Sequence, residues 1–82
     1  MPVILRAKGY RFWFYEVDLD EPAHVHVAKE GLQAKYWLDP IALARAGRFK
    51  PVHLREIERI IRENISFLLS VWEKERNKRV DR

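Results

Sequence analysis

Cysteine is absent from this chain of 82 residues. That excludes disulfide staples, thiolate metal sites and a cysteine nucleophile. No apolar run approaches bilayer-spanning length, and the opening Met1-Pro2-Val3-Ile4-Leu5-Arg6 is too short for a secretory signal. The expectation is a cytoplasmic protein without membrane contact. Asn and Gln together number three, and Arg outnumbers Lys ten to six, a bias expected of a heat-adapted source. Internal repeats, low-complexity segments and linkers are also lacking. The length leaves no room for a Rossmann domain, a barrel enzyme or a two-domain hinge. A single domain over residues 1–82 is expected, with residues 74–82 as a frayed basic tail.

What is present is a large aromatic content: three Trp, three Tyr and four Phe, enough to supply most of a small core without staples. The net charge is +4 and unevenly spread. Arg6, Lys8 and Arg11 open the chain without an acid. Glu16, Asp18, Asp20, Glu21 and Glu30 then face Lys29 alone, and Arg45, Arg48, Lys50, Arg55, Arg59 and Arg62 make the later part basic. Such a balance suits a nucleic acid, an acidic protein partner or simply a solvated surface.

The pattern predicts four strands followed by two helices. Val3-Ile4-Leu5, after Pro2, reads as a strand, and Gly9 as a turn. Tyr10 to Val17 reads as an aromatic strand, with Phe12 and Phe14 on one face and Trp13, Tyr15 and Val17 on the other. After the polar connector Asp18–Pro22, Ala23–Ala28 alternates Val25 and Val27 against His24 and His26. Glu30-Gly31 reads as a two-residue hairpin turn leading into Leu32–Leu38. Counting back from that turn sets Val27 against Ala34, Val25 against Tyr36, His26 against Lys35 and His24 against Trp37.

Asp39-Pro40 matches an N-cap and first helical position, and Gly47 a stop, so Ile41–Ala46 reads as a short helix. A second start lies near Lys50-Pro51, with Phe49 and Leu54 spaced as a hydrophobic staple. Leu54, Ile57, Ile61, Ile65, Leu68 and Trp72 recur at steps of three and four, the stripe of one long amphipathic helix. The expected fold class is α+β: a four-stranded antiparallel sheet, a short helix, and a long C-terminal helix packed on one sheet face. One helix cannot cover aromatics on both faces of strand two, so an exposed patch and a partner are expected.

The most distinctive local sequence is Pro22-Ala23-His24-Val25-His26-Val27. Three readings of its predicted wet face stay open. In metal-free RNA cleavage, His24 and His26 serve as acid and base, Lys35 stabilises charge and Trp37 stacks a base. As a metal site, His24 and His26 supply two ligands and Asp18, Asp20 or Glu21 a third, although Lys35 opposite His26 would repel a cation. In the structural reading the imidazoles only hydrogen-bond on an exposed or interface surface. Arg55, Arg59 and Arg62 form a row on the long helix that could line phosphates or pair with Glu58 and Glu63. No cofactor is called for by these residues.

The order of these features resembles the domain of unknown function 4160 family of small prokaryotic proteins. The resemblance rests on Met1-Pro2, Gly9-Tyr10-Arg11-Phe12, Asp20-Glu21-Pro22, His24-Val25-His26-Val27, the stretch Ala34 to Pro40, and Leu54-Arg55-Glu56-Ile57 to Asn64. It departs at Ala23, where members often have a second Pro, and at Lys50, where a Ser cap is common. What the resemblance implies is a context: genes of this family often neighbour one for a second small domain, as in a toxin–antitoxin pair. The resulting expectation is a small interaction protein, acting through its sheet and His-x-His face with an adjacent-gene partner or by self-association. A ribonuclease-type toxin and a metal-binding protein are the alternatives.

Overall fold

A computed structural model describes residues 3–80, without the side chains of residues 79 and 80; Met1 and Pro2, read above as preceding the first strand, lie outside the described residues. The elements are β1 (Leu5–Ala7), β2 (Tyr10–Trp13), a 3₁₀ turn (Glu16–Asp20), β3 (His24–Lys29), β4 (Leu32–Leu38), β5 (Ile41–Arg45), α1 (Pro51–Glu63) and α2 (Ile65–Val80). The strands form one antiparallel sheet in the order β1-β2-β3-β4-β5. Among the described residues no helix is long and apolar enough to cross a membrane.

The α+β class stands, but the sheet has five strands rather than four. Ile41–Arg45 is a strand, not a short helix: Leu38 faces Ile41, Trp37 faces Ala42 and Tyr36 faces Leu43. Asp-Pro serves a hairpin turn as readily as a helix start, and here Asp39-Pro40 turns the chain through a cis peptide bond. The open edge of β4 then supplies hydrogen-bond partners that a six-residue helix would lack. Gly47 has a different role from a helix stop. A Cβ there would sit 1.4 Å from the Gln33 carbonyl oxygen, so only glycine lets the chain leave β5 against the β4 backbone.

The β3–β4 hairpin has the register counted from Glu30-Gly31, with Val27 facing Ala34, Val25 facing Tyr36, His26 facing Lys35 and His24 facing Trp37. Both turn residues have positive φ, +50° at Glu30 and +82° at Gly31, the twist two-residue hairpins favour. Val25, Val27, Ala34, Tyr36 and Leu38 are buried with Ile57, Ile60 and Ile61 of α1 and Leu68 of α2. Two hydroxyls tie α1 to the sheet: Tyr36 Oη donates to the Leu54 carbonyl at 3.1 Å, and Tyr10 Oη to Glu56 Oε1 at 2.7 Å.

The single long helix is two helices. At Asn64 the backbone leaves helical geometry, with φ −120° and ψ 16°. Its side-chain amide donates back to the Ile60 carbonyl at 2.8 Å, and its own carbonyl accepts from Leu68 N–H. Asn competes for backbone groups in this way, which is why it favours helix ends. The break leaves the apolar stripe serving two clusters. Leu68 joins the first, whereas Trp72 joins Phe14 and Leu19 in a second.

Strand two ends at Trp13, not Val17. Phe14 leaves the sheet into the second cluster, and the 3₁₀ turn folds behind it. Trp13 and Phe14 are therefore buried, and of the expected outer patch only Tyr15 and Val17 are exposed. The bend lets the chain cover Trp13 and Phe14 itself and leaves Tyr15 and Val17 exposed.

A candidate metal centre

Alternation along β3 sends Val25 and Val27 to the α1 side and His24 and His26 to the other. The expectation that both histidines lie on a wet face is corrected for His24, which is 0% exposed. Its ring meets Trp37 at 5.6 Å, Trp72 at 5.2 Å and the His26 ring at 5.3 Å between centroids. His26 is half-buried and lies between Trp13, stacked at 5.8 Å, and Tyr15 at 5.1 Å.

Asp18 completes the group, and its own turn holds it in place. Its Oδ2 accepts from Tyr15 N–H at 2.8 Å, and its carbonyl accepts from Glu21 N–H at 2.9 Å. The adjacent Leu19 anchors that turn in the cluster with Phe14 and Trp72. Asp18 Oδ2 lies 2.9 Å from His26 Nε2 and 3.3 Å from His24 Nε2. The three ligand-capable atoms lie within 4.8 Å of one another, the one such grouping of three among the described residues.

Tautomers follow from the partners. His24 Nδ1 is 2.9 Å from the Pro22 carbonyl; a carbonyl only accepts, so Nδ1 carries the proton. In the neutral ring Nε2 then holds a lone pair, 3.3 Å from Asp18 Oδ2 and within 4.8 Å of the His26 ligand atom. His24 Nε2 is buried and has no hydrogen-bond partner among the described residues. An unsatisfied buried polar atom costs about 1–3 kcal/mol, so this orphan stands out in a well-packed wall. His26 Nε2 faces a carboxylate and donates to it.

Burial alone would raise the Asp18 carboxyl. The Tyr15 N–H, the His26 hydrogen bond and the two imidazoles outweigh it and hold Asp18 below the usual carboxylate range. Burial lowers the His26 imidazole against the opposing pull of Asp18, with His24 and Lys35 adding to the lowering. At neutral pH the group is thus a carboxylate beside a neutral His26; to ligate an ion through Nε2, His26 would exchange its Nε2–H tautomer for the Nδ1–H one.

Two ligand atoms each about 2.1 Å from one ion stand about 3.4 Å apart in tetrahedral geometry. The 3.3 Å separation sits close to that spacing, and the 2.9 Å one, a hydrogen-bond length, is shorter. Of the three acids weighed as third ligand, Asp18 is the one brought to the histidines; Glu21 instead pairs with Lys35 at 3.3 Å. Lys35 does not point its charge into the centre. It lies between Glu21 and the face of Trp37, 4.6 Å from the ring centroid, and still disfavours a positive charge on His26. Trp37 is half-buried and borders an apolar cleft of about 140 Å³ formed with Pro22, Ala23, Asp39, Pro40 and Ala42.

Arg55, Arg59 and Arg62 are exposed on α1, with Arg62 paired to Glu58. Because α1 buries its stripe with Val25 and Val27, the arginine row lies across the sheet from the histidines and makes no common site with them. Trp72 is the site residue that sequence reasoning missed. Its helical spacing marked it as core, and nothing local to residue 72 points at His24.

The Domain of unknown function (DUF4160) family model matches residues 9–73. The chain belongs to that family. No curated protein and no solved structure matches it.

Proposed function

We propose that Asp18, His24 and His26 bind a divalent first-row transition-metal ion, with Zn²⁺ as the first candidate, in a three-ligand centre. The observation that carries this reading is the Nε2 of His24, fully buried, without a hydrogen bond among the described residues and within 4.8 Å of the other two ligand-capable atoms. Its ring orientation is preset by the Nδ1–H bond to the Pro22 carbonyl, the outer-shell support that ligating histidines usually have. Two imidazoles and a carboxylate suit Zn²⁺, Fe²⁺, Co²⁺ or Ni²⁺ better than Mg²⁺ or Ca²⁺. Three protein ligands leave a position for water or a substrate oxygen, the arrangement of catalytic rather than purely structural sites. The partly exposed side of His26 is where that position would meet solvent.

The two-histidine ribonuclease reading loses support from the same geometry, because a fully buried His24 cannot reach a 2′-hydroxyl. A partner-binding role through the His-x-His face is likewise weakened, since the 3₁₀ turn and Trp72 already occupy that face over His24.

Elemental analysis of the purified chain, with calorimetric titration of the metal-stripped protein, tests the proposal. The expected result is one ion per chain and a rise in Tm on adding Zn²⁺. Asp18→Asn should remove both. A wild-type chain that gains no stability and takes up no stoichiometric ion from Zn²⁺, Fe²⁺, Co²⁺ or Ni²⁺ would sink it.

A further inference from the structure

Strand pairing decides which charges share a face of the sheet. Val25, Val27, Ala34 and Tyr36 are buried toward α1, so their neighbours along β3 and β4 lie on the opposite face. On that face Arg6 stands opposite Arg11, Arg11 opposite Ala28, and Ala28 opposite Gln33. Two residues further along β2, Trp13 stands opposite His26 and His26 opposite Lys35. The irregularity between β4 and β5 skips Ala44, so Lys35 stands opposite Arg45. The face away from α1 therefore holds two like-charge pairs, Arg6 with Arg11 and Lys35 with Arg45. Like charges placed directly opposite destabilise a sheet. Lys35 has Glu21 at 3.3 Å, but Arg6, Arg11 and Arg45 are exposed and make no ion pair among the described residues. A polyanion laid across both pairs relieves the repulsion at each.

We infer that this face binds single-stranded nucleic acid, its phosphates on Arg6, Arg11, Lys35 and Arg45. The midpoints of the two pairs lie three strand spacings apart, about 14 Å, a span that a run of phosphates fills better than a single anion. Guanidinium groups meet phosphate oxygens in a fork. The floor between the pairs is low, with only the Ala28 methyl and the Gln33 amide in that row. Aromatic surfaces for the bases flank it. Tyr15 is 45% exposed, with its ring 5.1 Å from that of His26. Trp37 borders the apolar cleft with Pro22, Ala23, Pro40 and Ala42. Cations interleaved with accessible aromatics suit bases of any sequence. They favour a nucleic acid over an acidic protein segment, whose carboxylates would engage the cations alone. The binding uses these side chains only and does not depend on metal being bound.

Fluorescence anisotropy of labelled single-stranded RNA and DNA of about 12 nucleotides, titrated with the full chain at several salt concentrations, tests the inference. Affinity should fall with salt at a log–log slope of about −3, as four neutralised phosphates of a single strand require. Arg11→Glu and Arg45→Glu should each weaken binding by about tenfold or more. Neither should lower the urea midpoint, because each replaces a like-charge pair with an opposite one. Tyr15→Ala should weaken binding by about fivefold or more. Arg59→Glu, the same charge change on α1 across the sheet, should weaken it far less. Binding of either oligomer supports the inference, and the ratio of the two affinities tells which sugar the face takes. No anisotropy change at hundreds of micromolar chain and low salt would overturn it. So would a duplex or a polyglutamate that binds as tightly, or a loss on Arg59→Glu equal to that on Arg11→Glu.

Discussion

The two ends of β3 carry polar clusters that look alike in composition and differ in completeness. At the Lys29 end, Tyr10 Oη donates to Glu56 at 2.7 Å, and Lys29 Nζ donates to the Lys8 carbonyl while lying 4.6 Å from the Tyr10 ring centroid. Every one of these groups has a partner of the right kind. At the His24 end one carboxylate oxygen faces two imidazole nitrogens, and one of those nitrogens has no hydrogen bond among the described residues. A satisfied network is a structural feature; a buried nitrogen without a hydrogen bond, close to two further ligand-capable atoms, is the feature that the proposed metal accounts for. His53 Nδ1, also without a partner, belongs to the first end. That atom too is buried, but it belongs to no group of three ligand-capable residues among the described residues.

The largest test of this contrast is Trp72→Ala. Trp72 is buried against Phe14 and His24, so its removal should cost about 3–5 kcal/mol in urea unfolding. It should also weaken Zn²⁺ binding, whereas an equally buried residue remote from the centre, Ile57, should lower stability on truncation without changing intrinsic metal affinity. Next in size, Asp18→Asn should lower Zn²⁺ affinity by about 100-fold or more in titration calorimetry, and Glu56→Gln at the other end should leave it unchanged.

The two ends should also fail at opposite pH extremes. Burial first, then neighbouring charges, hold His26 below its ordinary value, while hydrogen bonding and the imidazoles hold Asp18 down against burial. For both, the unfolded chain takes up the proton first. The metal-free protein should therefore lose stability as pH falls below about 6.5 and again through the carboxylate range. At the other end burial, then Glu56, pushes Tyr10 up to about 12, and on the core face beside Val25 burial, then Glu58, does the same for Tyr36. Here the unfolded chain ionises first, so stability should fall as pH rises above about 10. Urea midpoints across the pH range check both limbs, and Asp18→Asn should blunt only the acid one. The smallest effect should come from Tyr10→Phe, about 1 kcal/mol, read as a lower urea midpoint with Zn²⁺ affinity intact.

How far the site was legible in the sequence depended on how local its cause was. His24 and His26 were placed on one face because strand alternation and a two-residue turn are local devices. Asp18 was one of three acids, and choosing it required the 3₁₀ turn that Leu19 anchors in a distant cluster. Asp39-Pro40 misled because it serves a helix start and a hairpin equally well, and only the waiting edge of β4 decided between them. The break at Asn64 was hidden because apolar steps of three and four run through it.

By itself the sequence determined the α+β class, the β3–β4 register, the start of α1 and the sidedness of the histidines. All of these follow from periodicity and turn chemistry within a few residues. Tertiary structure decided the burial of His24, the choice of Asp18 and the strand at β5. Each depends on groups brought together from separate parts of the chain, such as Trp72 against His24, and residue spacing along a chain carries no measure of that distance.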